Sequence, residues 1–203
     1  MFKPSFARKS LDRYRKKGLD SLEQSMVSSA AEAGLGGARV LEIGGGIGTI
    51  QAELLSAGAA TGEVVELVSA FEPYARELAR EKGLEGRTSF VVADVLERPD
   101  SIEPADVVVL NRVVCCSPDG VELTVAAAGL ARRTLVLSYP RAVWWVRLGI
   151  RMLNTGYWLM RRSFRVFVYQ PAALVAAAET AGLGLAENGG GAFWAFAAFR
   201  RVP

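Results

Sequence analysis

Three acidic residues near the ends of apolar runs are the side chains best placed for chemistry: Glu42, Glu66 and Asp94. No histidine is available to work beside them, because the chain contains none. Glu42 lies in Val40-Leu41-Glu42-Ile43, which leads through Gly44-Gly45-Gly46-Ile47-Gly48-Thr49 into Ile50-Gln51-Ala52-Glu53-Leu54-Leu55. The first run reads as a buried parallel strand, the last as a helix, and the glycines as the turn between them. A glycine turn there lets the backbone approach a ligand closely.

The spacing narrows the choice of ligand. A dinucleotide fingerprint needs a third glycine where this chain has Thr49, and a phosphate loop needs a terminal Gly-Lys-Ser/Thr that is missing. What remains, Glu42-x-Gly44-x-Gly46-x-Gly48, resembles motif I of class I S-adenosylmethionine (SAM) methyltransferases. The resemblance implies that Gly44, Gly45, Gly46 and Gly48 pass under the methionine and ribose portion of SAM, while Glu42 helps hold its ammonium. A glycine-rich connection in some other α/β domain is the competing reading of this motif alone.

Glu66 ends the run Val64-Val65-Glu66-Leu67, about twenty residues past the glycines, where open α/β sheets place a ribose-binding acid. Leu67 is grouped with it, and Glu63 and Glu72 are the alternative acids. Asp94, in Ala93-Asp94-Val95 after the strand Thr88–Val92, looks like the family's adenine site. There the acid accepts from the adenine amino group and the next amide, of Val95, meets the ring. Outside such a context, Asp after a strand is usually a cap or turn former. Asn111 stands at the carboxyl end of a fourth strand beginning at Ala105, where ligands lie in this architecture.

The continuation Val113-Val114-Cys115-Cys116-Ser117-Pro118-Asp119 is similar to a segment of small bacterial class I methyltransferases distantly similar to magnesium-protoporphyrin O-methyltransferase. Those relatives tend to carry histidine where this chain has Asn111 and Gln170. A histidine base is therefore excluded, leaving Tyr139, Tyr169, a carboxylate, or no base at all. Tyr139 is the catalytic candidate because it sits at the carboxyl end of strand five; an amphipathic residue at a strand end is the competing reading. With no histidine to activate or accompany them, Cys115 and Cys116 read as packing residues, and no metal site is expected.

Around these residues the elements follow. Ser5–Lys17 reads as a basic helix with little apolar stripe, and Leu19–Ala33 as a second helix; residues 1–36 are expected to cap the cofactor site. Tyr14, Arg15 or Lys16 can meet the SAM carboxylate, although a solvated basic helix is the favoured reading. Helices follow at 70–82, 119–131 and 171–181, and strand five, Thr134–Tyr139, stops at Pro140. Phe164–Tyr169 reads as an extended run. Leu183–Asn188 and Phe193–Phe199 are strands joined by Gly189-Gly190-Gly191 as a closing hairpin.

Arg141–Arg165 holds six arginines and no acid, with Trp144, Trp145, Tyr157 and Trp158 among aliphatic residues. Arg147 and Arg151 interrupt its apolar part and Asn154-Thr155-Gly156 is expected to break it, which argues against a membrane-spanning helix. An amphipathic lid fits better, serving as acceptor wall and as a weak membrane-surface contact.

Length, composition and resemblance together imply a single α/β domain over 1–203, with a Rossmann-like, seven-stranded, mostly parallel sheet, a closing antiparallel hairpin and helices on both faces. The expected function is SAM-dependent methyl transfer to a small apolar acceptor, most readily at oxygen. The alternative is a SAM-binding module without catalysis, acting as a partner subunit. A net charge of +3 is too small to argue for nucleic acid, and no Asn/Asp-Pro-Pro-Tyr/Phe motif follows strand four. Two adjacent cysteines staple nothing, and Met1–Ser10 has no apolar run behind its charges, so a cytoplasmic setting is expected.

Overall fold

Alternate side chains of each apolar run enter two separate cores, one on either face of a single sheet. The computed structural model describes residues 4–98 and 101–202; residues 1–3, 99–100 and 203 of the expected domain lie outside these. In order, the elements are α1 (Pro4–Lys17), α2 (Ser21–Ala31), β1 (Arg39–Ile43), α3 (Thr49–Ser56), β2 (Thr61–Glu66), α4 (Glu72–Glu81) and β3 (Thr88–Val92). They continue with β4 (Ala105–Leu110), α5 (Gly120–Leu130), β5 (Ala131–Pro140), α6 (Trp144–Leu159), α7 (Pro171–Glu179), β6 (Leu183–Gly190) and β7 (Trp194–Arg201).

The strand order is β3-β2-β1-β4-β5-β7-β6. β1 to β5 are joined by parallel ladders, and β7 enters antiparallel between β5 and β6. The α/β sheet with its closing hairpin is thus as the sequence implied. In β4, Val107 and Val109 enter the core beneath α1 to α4, whereas Val108 and Leu110 enter the core beneath α5 and α7. Both faces being covered, a strand of this kind reads as continuous apolar sequence. The chain runs outward from β1 to β3 and returns on the other side at β4, so the carboxyl ends of β1 and β4 flank the switch point where such sheets bind ligands.

Two expectations about the elements need correction. α1 is not merely a solvated basic helix: Ala7, Leu11 and Tyr14 are buried at helical spacing. An alanine and a tyrosine make a weak hydrophobic signal, which hid the stripe. The expected break at Asn154-Thr155-Gly156 does not occur, and α6 runs through to Leu159. One glycine costs a helix only about 1 kcal/mol. Against that, Asn154 donates to the Val166 carbonyl at 2.8 Å and accepts from its amide at 2.9 Å, tying the helix to the returning chain. The run 164–169 lies outside the sheet, anchored by the Phe167 amide on the Cys115 carbonyl at 2.7 Å.

The polar side of α1 is engaged as well. Arg15 is paired with Glu77 and Glu81 of α4. The Tyr14 hydroxyl bonds Glu53 of α3, which Lys82 also reaches at 3.0 Å. Burial, with Glu53 beside it, pushes the Tyr14 phenol up to about 12. Of the three residues offered for the SAM carboxylate, Tyr14 and Arg15 therefore fasten α1 to its neighbours in this structure. Because Leu11 is 1% exposed, Leu11→Ala should lower stability by about 2–5 kcal/mol in urea denaturation. A helix that merely floated on the surface would show no change.

Candidate active site

At the carboxyl end of β1 the chain turns back on itself through residues only glycine accommodates easily. Gly44 and Gly46 have φ of 64° and 57°. A Cβ at Gly44 would lie 2.6 Å from Val113 Cγ2, so the turn packs directly against the loop after β4. α3 then begins at Thr49, and Gly48 just before it has no side chain to cap the helix. Glu42 supplies the acceptor from the preceding strand, its Oε2 receiving the Gln51 amide at 2.9 Å. The carboxylate thus answers the free amides and partial positive charge of a helix start.

Glu42 is nevertheless 2% exposed. Burial is the main reason its carboxyl rises to about 8; the Gln51 amide opposes the shift, and the charges of Glu23 and Glu66 add to it. Glu66, at the end of β2, accepts from the amide of Gly46 at 3.1 Å and from that of Val68 at 3.1 Å. It therefore holds the glycine turn from the side, and burial likewise raises its carboxyl. Among the described residues neither Glu42 nor Glu66 has an ion-pair partner. One buried and one half-buried carboxyl without a cation form a site suited to a cationic ligand.

The remaining sequence-predicted residues are placed as follows. Asp94 follows β3, next to the end of β2, where the Ala93 amide bonds the Glu66 carbonyl at 3.2 Å. One Asp94 oxygen takes the Leu96 amide at 2.9 Å, closing a turn, and Val95 is buried beside it. The Leu67 side chain points outward, leaving its backbone as the part near the site. Asn111 donates to Glu23 at 3.1 Å and accepts from the Ser138 hydroxyl at 2.9 Å. Its amide is held between α2 and β5.

Sequence reasoning passed over four residues here: Asp20, Glu23, Arg112 and Ser138. Asp20 and Glu23 form a capping box at the start of α2, a signal readable in the sequence Asp20-x-x-Glu23. Arg112 follows Asn111 with a left-handed φ of 59°, a conformation that costs a non-glycine residue about 1 kcal/mol or more. Its backbone amide bonds Ser138 at 2.8 Å, its guanidinium reaches Asp20 at 2.5 Å, and the same group lies 5.3 Å from the Trp194 ring centroid. Glu23, buried, also faces Arg13 at 3.5 Å and Arg112 at 3.7 Å. Nothing in the sequence marks Arg112 as strained, since neither glycine nor asparagine occupies the position.

Tyr139, the catalytic candidate, is buried in the core beneath α5 and α7. Burial raises its phenol, with Arg141 opposing, which makes it a weaker acid. Tyr169 is a fastener: its hydroxyl accepts the Gly120 amide at 3.0 Å and lies 2.7 Å from the carbonyls of both Ser117 and Pro118. Of the two free cysteines, Cys115 is buried as expected, but Cys116 is exposed, with its Sγ 3.3 Å from the Arg112 carbonyl.

Burial holds the Glu42 carboxyl well above the ordinary carboxylate range. Its folded value lies above the ordinary 4.5, so its contribution to stability is full below about pH 4.5 and is lost as pH rises through about 8. Wild-type protein should therefore lose thermal stability over that window, by an amount on the order of a few kcal/mol. Glu42→Gln should lose much less; parallel melting-temperature curves for the two proteins would contradict the assignment.

No family model matches the chain, and no curated protein matches it. Solved structures do. Magnesium protoporphyrin IX methyltransferase from Synechocystis PCC 6803, crystallised with SAH, has a TM-score of 0.72 at 20% identity, covering 97% of this chain and 96% of that one. An O-methyltransferase family 2 protein from Planctomyces limnophilus DSM 3776, in complex with apigenin, gives 0.73 at 16% identity, covering 100% of this chain and 62% of its own. A Haloferax volcanii protein solved with the Trm112 methyltransferase activator gives 0.66 at 15%, covering 97% and 94%. At such identities the likeness is one of fold: this chain has the fold of SAM-dependent methyltransferases.

Proposed function

We propose that this chain is a class I SAM-dependent methyltransferase acting on a small, largely apolar acceptor at oxygen. The observation that carries the reading is a buried carboxyl, Glu42, and a half-buried one, Glu66, set without an ion-pair partner around a glycine turn at the β1–β4 switch point. SAM is cationic at its sulfonium and its ammonium, and the site fits that chemistry. The neighbours crystallised with SAH and with apigenin support the same cofactor and an aromatic, small-molecule acceptor.

In this reading Gly44, Gly45, Gly46 and Gly48 run beneath the cofactor and Glu42 holds its ammonium. Glu66 accepts from the ribose hydroxyls. A carboxylate has about four lone-pair sites, so it can do this while keeping the amides of Gly46 and Val68. Asp94 accepts from the adenine amino group with its second oxygen, and the Val95 and Leu67 backbones border the ring. Asn111, fixed by Glu23 and Ser138, closes the β4 side. No metal is called for by this donor set.

When bound, SAM supplies an already activated methyl group, which an acceptor oxygen takes by in-line displacement. The protein's share is alignment and exclusion of water. A raised Tyr139 phenol supports alignment without a tyrosinate base. α6 leaves β5 at the sheet's carboxyl edge and turns Val146 and Ile150 inward, so it can wall the acceptor. Pairing of Arg13 and Arg15 with acids of α2 and α4 supports a reading without nucleic acid, and two free thiols support a reducing, cytoplasmic setting. We read the described residues as one domain.

Isothermal calorimetry tests the cofactor. SAM or its demethylated product should bind, and Glu66→Ala should weaken binding by on the order of 1–3 kcal/mol. No binding by the wild type, or an unchanged variant, would sink the assignment. Turnover of labelled SAM tests catalysis, since a chain that holds SAM and methylates no acceptor is the binding module instead. Tyr139→Phe should leave turnover within about tenfold; a loss of roughly a hundredfold or more would make the tyrosine a base.

A further inference from the structure

The surface of α6 divides into three stripes. Val146 and Ile150 face inward and are its buried residues. Trp144, Leu148, Met152 and Leu159 project outward with exposures of 75, 51, 68 and 70%. Between them run Arg147, Arg151 and Trp158, which with Ile150, Thr155 and Arg165 line an open cavity of about 630 Å³. No acid lines that cavity. Arg165 is steadied at its edge by bonds from Nη1 to the carbonyls of Arg162 and Phe164, at 2.8 and 3.0 Å.

Most arginines of α1 to β4 and of β7 have carboxylate partners, Arg15, Arg39 and Arg200 among them, as does Arg112 just after β4. None of the six between 141 and 165 has one among the described residues. A convergent group of unpaired guanidiniums calls for anionic oxygen, and the planar fork of arginine suits phosphate. A soluble phosphate would use the cavity and leave the apolar stripe in water. A lipid surface uses both, taking Trp, Leu and Met into its boundary and its phosphates onto the arginines beside them. No described helix is long and apolar enough to cross a membrane.

We propose that α6 is a docking surface for anionic phospholipid: it lies in the plane of the bilayer surface with its outer apolar stripe immersed, and Arg147, Arg151 and Arg165 receive one headgroup phosphate. This places the protein at the source of a lipophilic acceptor, yet it stands apart from methyl transfer itself.

The test is flotation of the whole protein with vesicles of phosphatidylcholine alone and of phosphatidylcholine containing phosphatidylglycerol. Binding is expected to the anionic vesicles only, with a blue shift of tryptophan emission and loss at high salt. Arg147→Gln with Arg151→Gln should lower partitioning by roughly tenfold or more, and Trp144→Ala with Trp158→Ala should reduce it as well. All four positions are exposed, and SAM affinity measured in solution on the same variants should be unchanged. Absence of anionic-vesicle binding by the wild type, or binding undiminished by the arginine changes, overturns the proposal. So does wild-type vesicle binding in variants whose turnover falls, since the stripe then serves an acidic acceptor. Vesicle binding by a protein that fails to hold SAM would leave the lipid surface standing and remove the methyltransferase reading.

Discussion

One buried carboxyl organises the centre of this molecule. Glu42 must leave water to stand at the end of a central strand, and the neighbouring helix start is what makes that tolerable, by offering an amide from a turn with no cap of its own. The dependence runs both ways. Without Glu42 the first turn of α3 would have an unanswered donor in a dry place, and without the glycine turn the carboxyl would have no donor to face. Gly45 shows how tight this arrangement is, because a Cβ there would lie 2.7 Å from Glu42 Cγ.

From that centre, polar contacts fasten the leading helices to the strand ends. Tyr14 ties α1 to α3, Arg15 ties it to α4, and the capping box of α2 doubles as the acidic partner of Arg112. The exposed Arg15 pairs contribute little individually. The Arg112 cluster is different: it joins a half-buried guanidinium, a buried acid, a tryptophan face and a left-handed backbone within one small region. Strain of this kind is kept where surrounding contacts determine it, and here they fix the course of the chain as it leaves β4.

Much of the architecture was legible because its physics is local. Doubly covered strands must be continuous apolar runs, and Gly44, Gly46 and Gly48 betray a turn no other residue makes cheaply. What escaped the reading depends on distant partners. Glu23 matters because folding carries it to Asn111, 88 positions away. α6 survives its Asn-Thr-Gly stretch because the backbone of Val166 arrives to satisfy Asn154. The inner face of α1 rests on alanine and tyrosine, whose burial no periodicity analysis weights strongly. Asp20-x-x-Glu23 is the exception: its capping signal was local and went unread.

The position of β7 has a consequence for how the chain is made. It is the last strand in sequence but an interior one in space, hydrogen-bonded on both sides. Arg200 within it reaches back to Glu32 at 2.7 Å, and Phe199 is wholly buried. During synthesis from the amino terminus, β5 therefore emerges with an open edge, and α2 has no finished sheet to rest on until residues near 200 are made. A nascent chain stalled before Trp194 would carry that edge as a template for pairing with other chains.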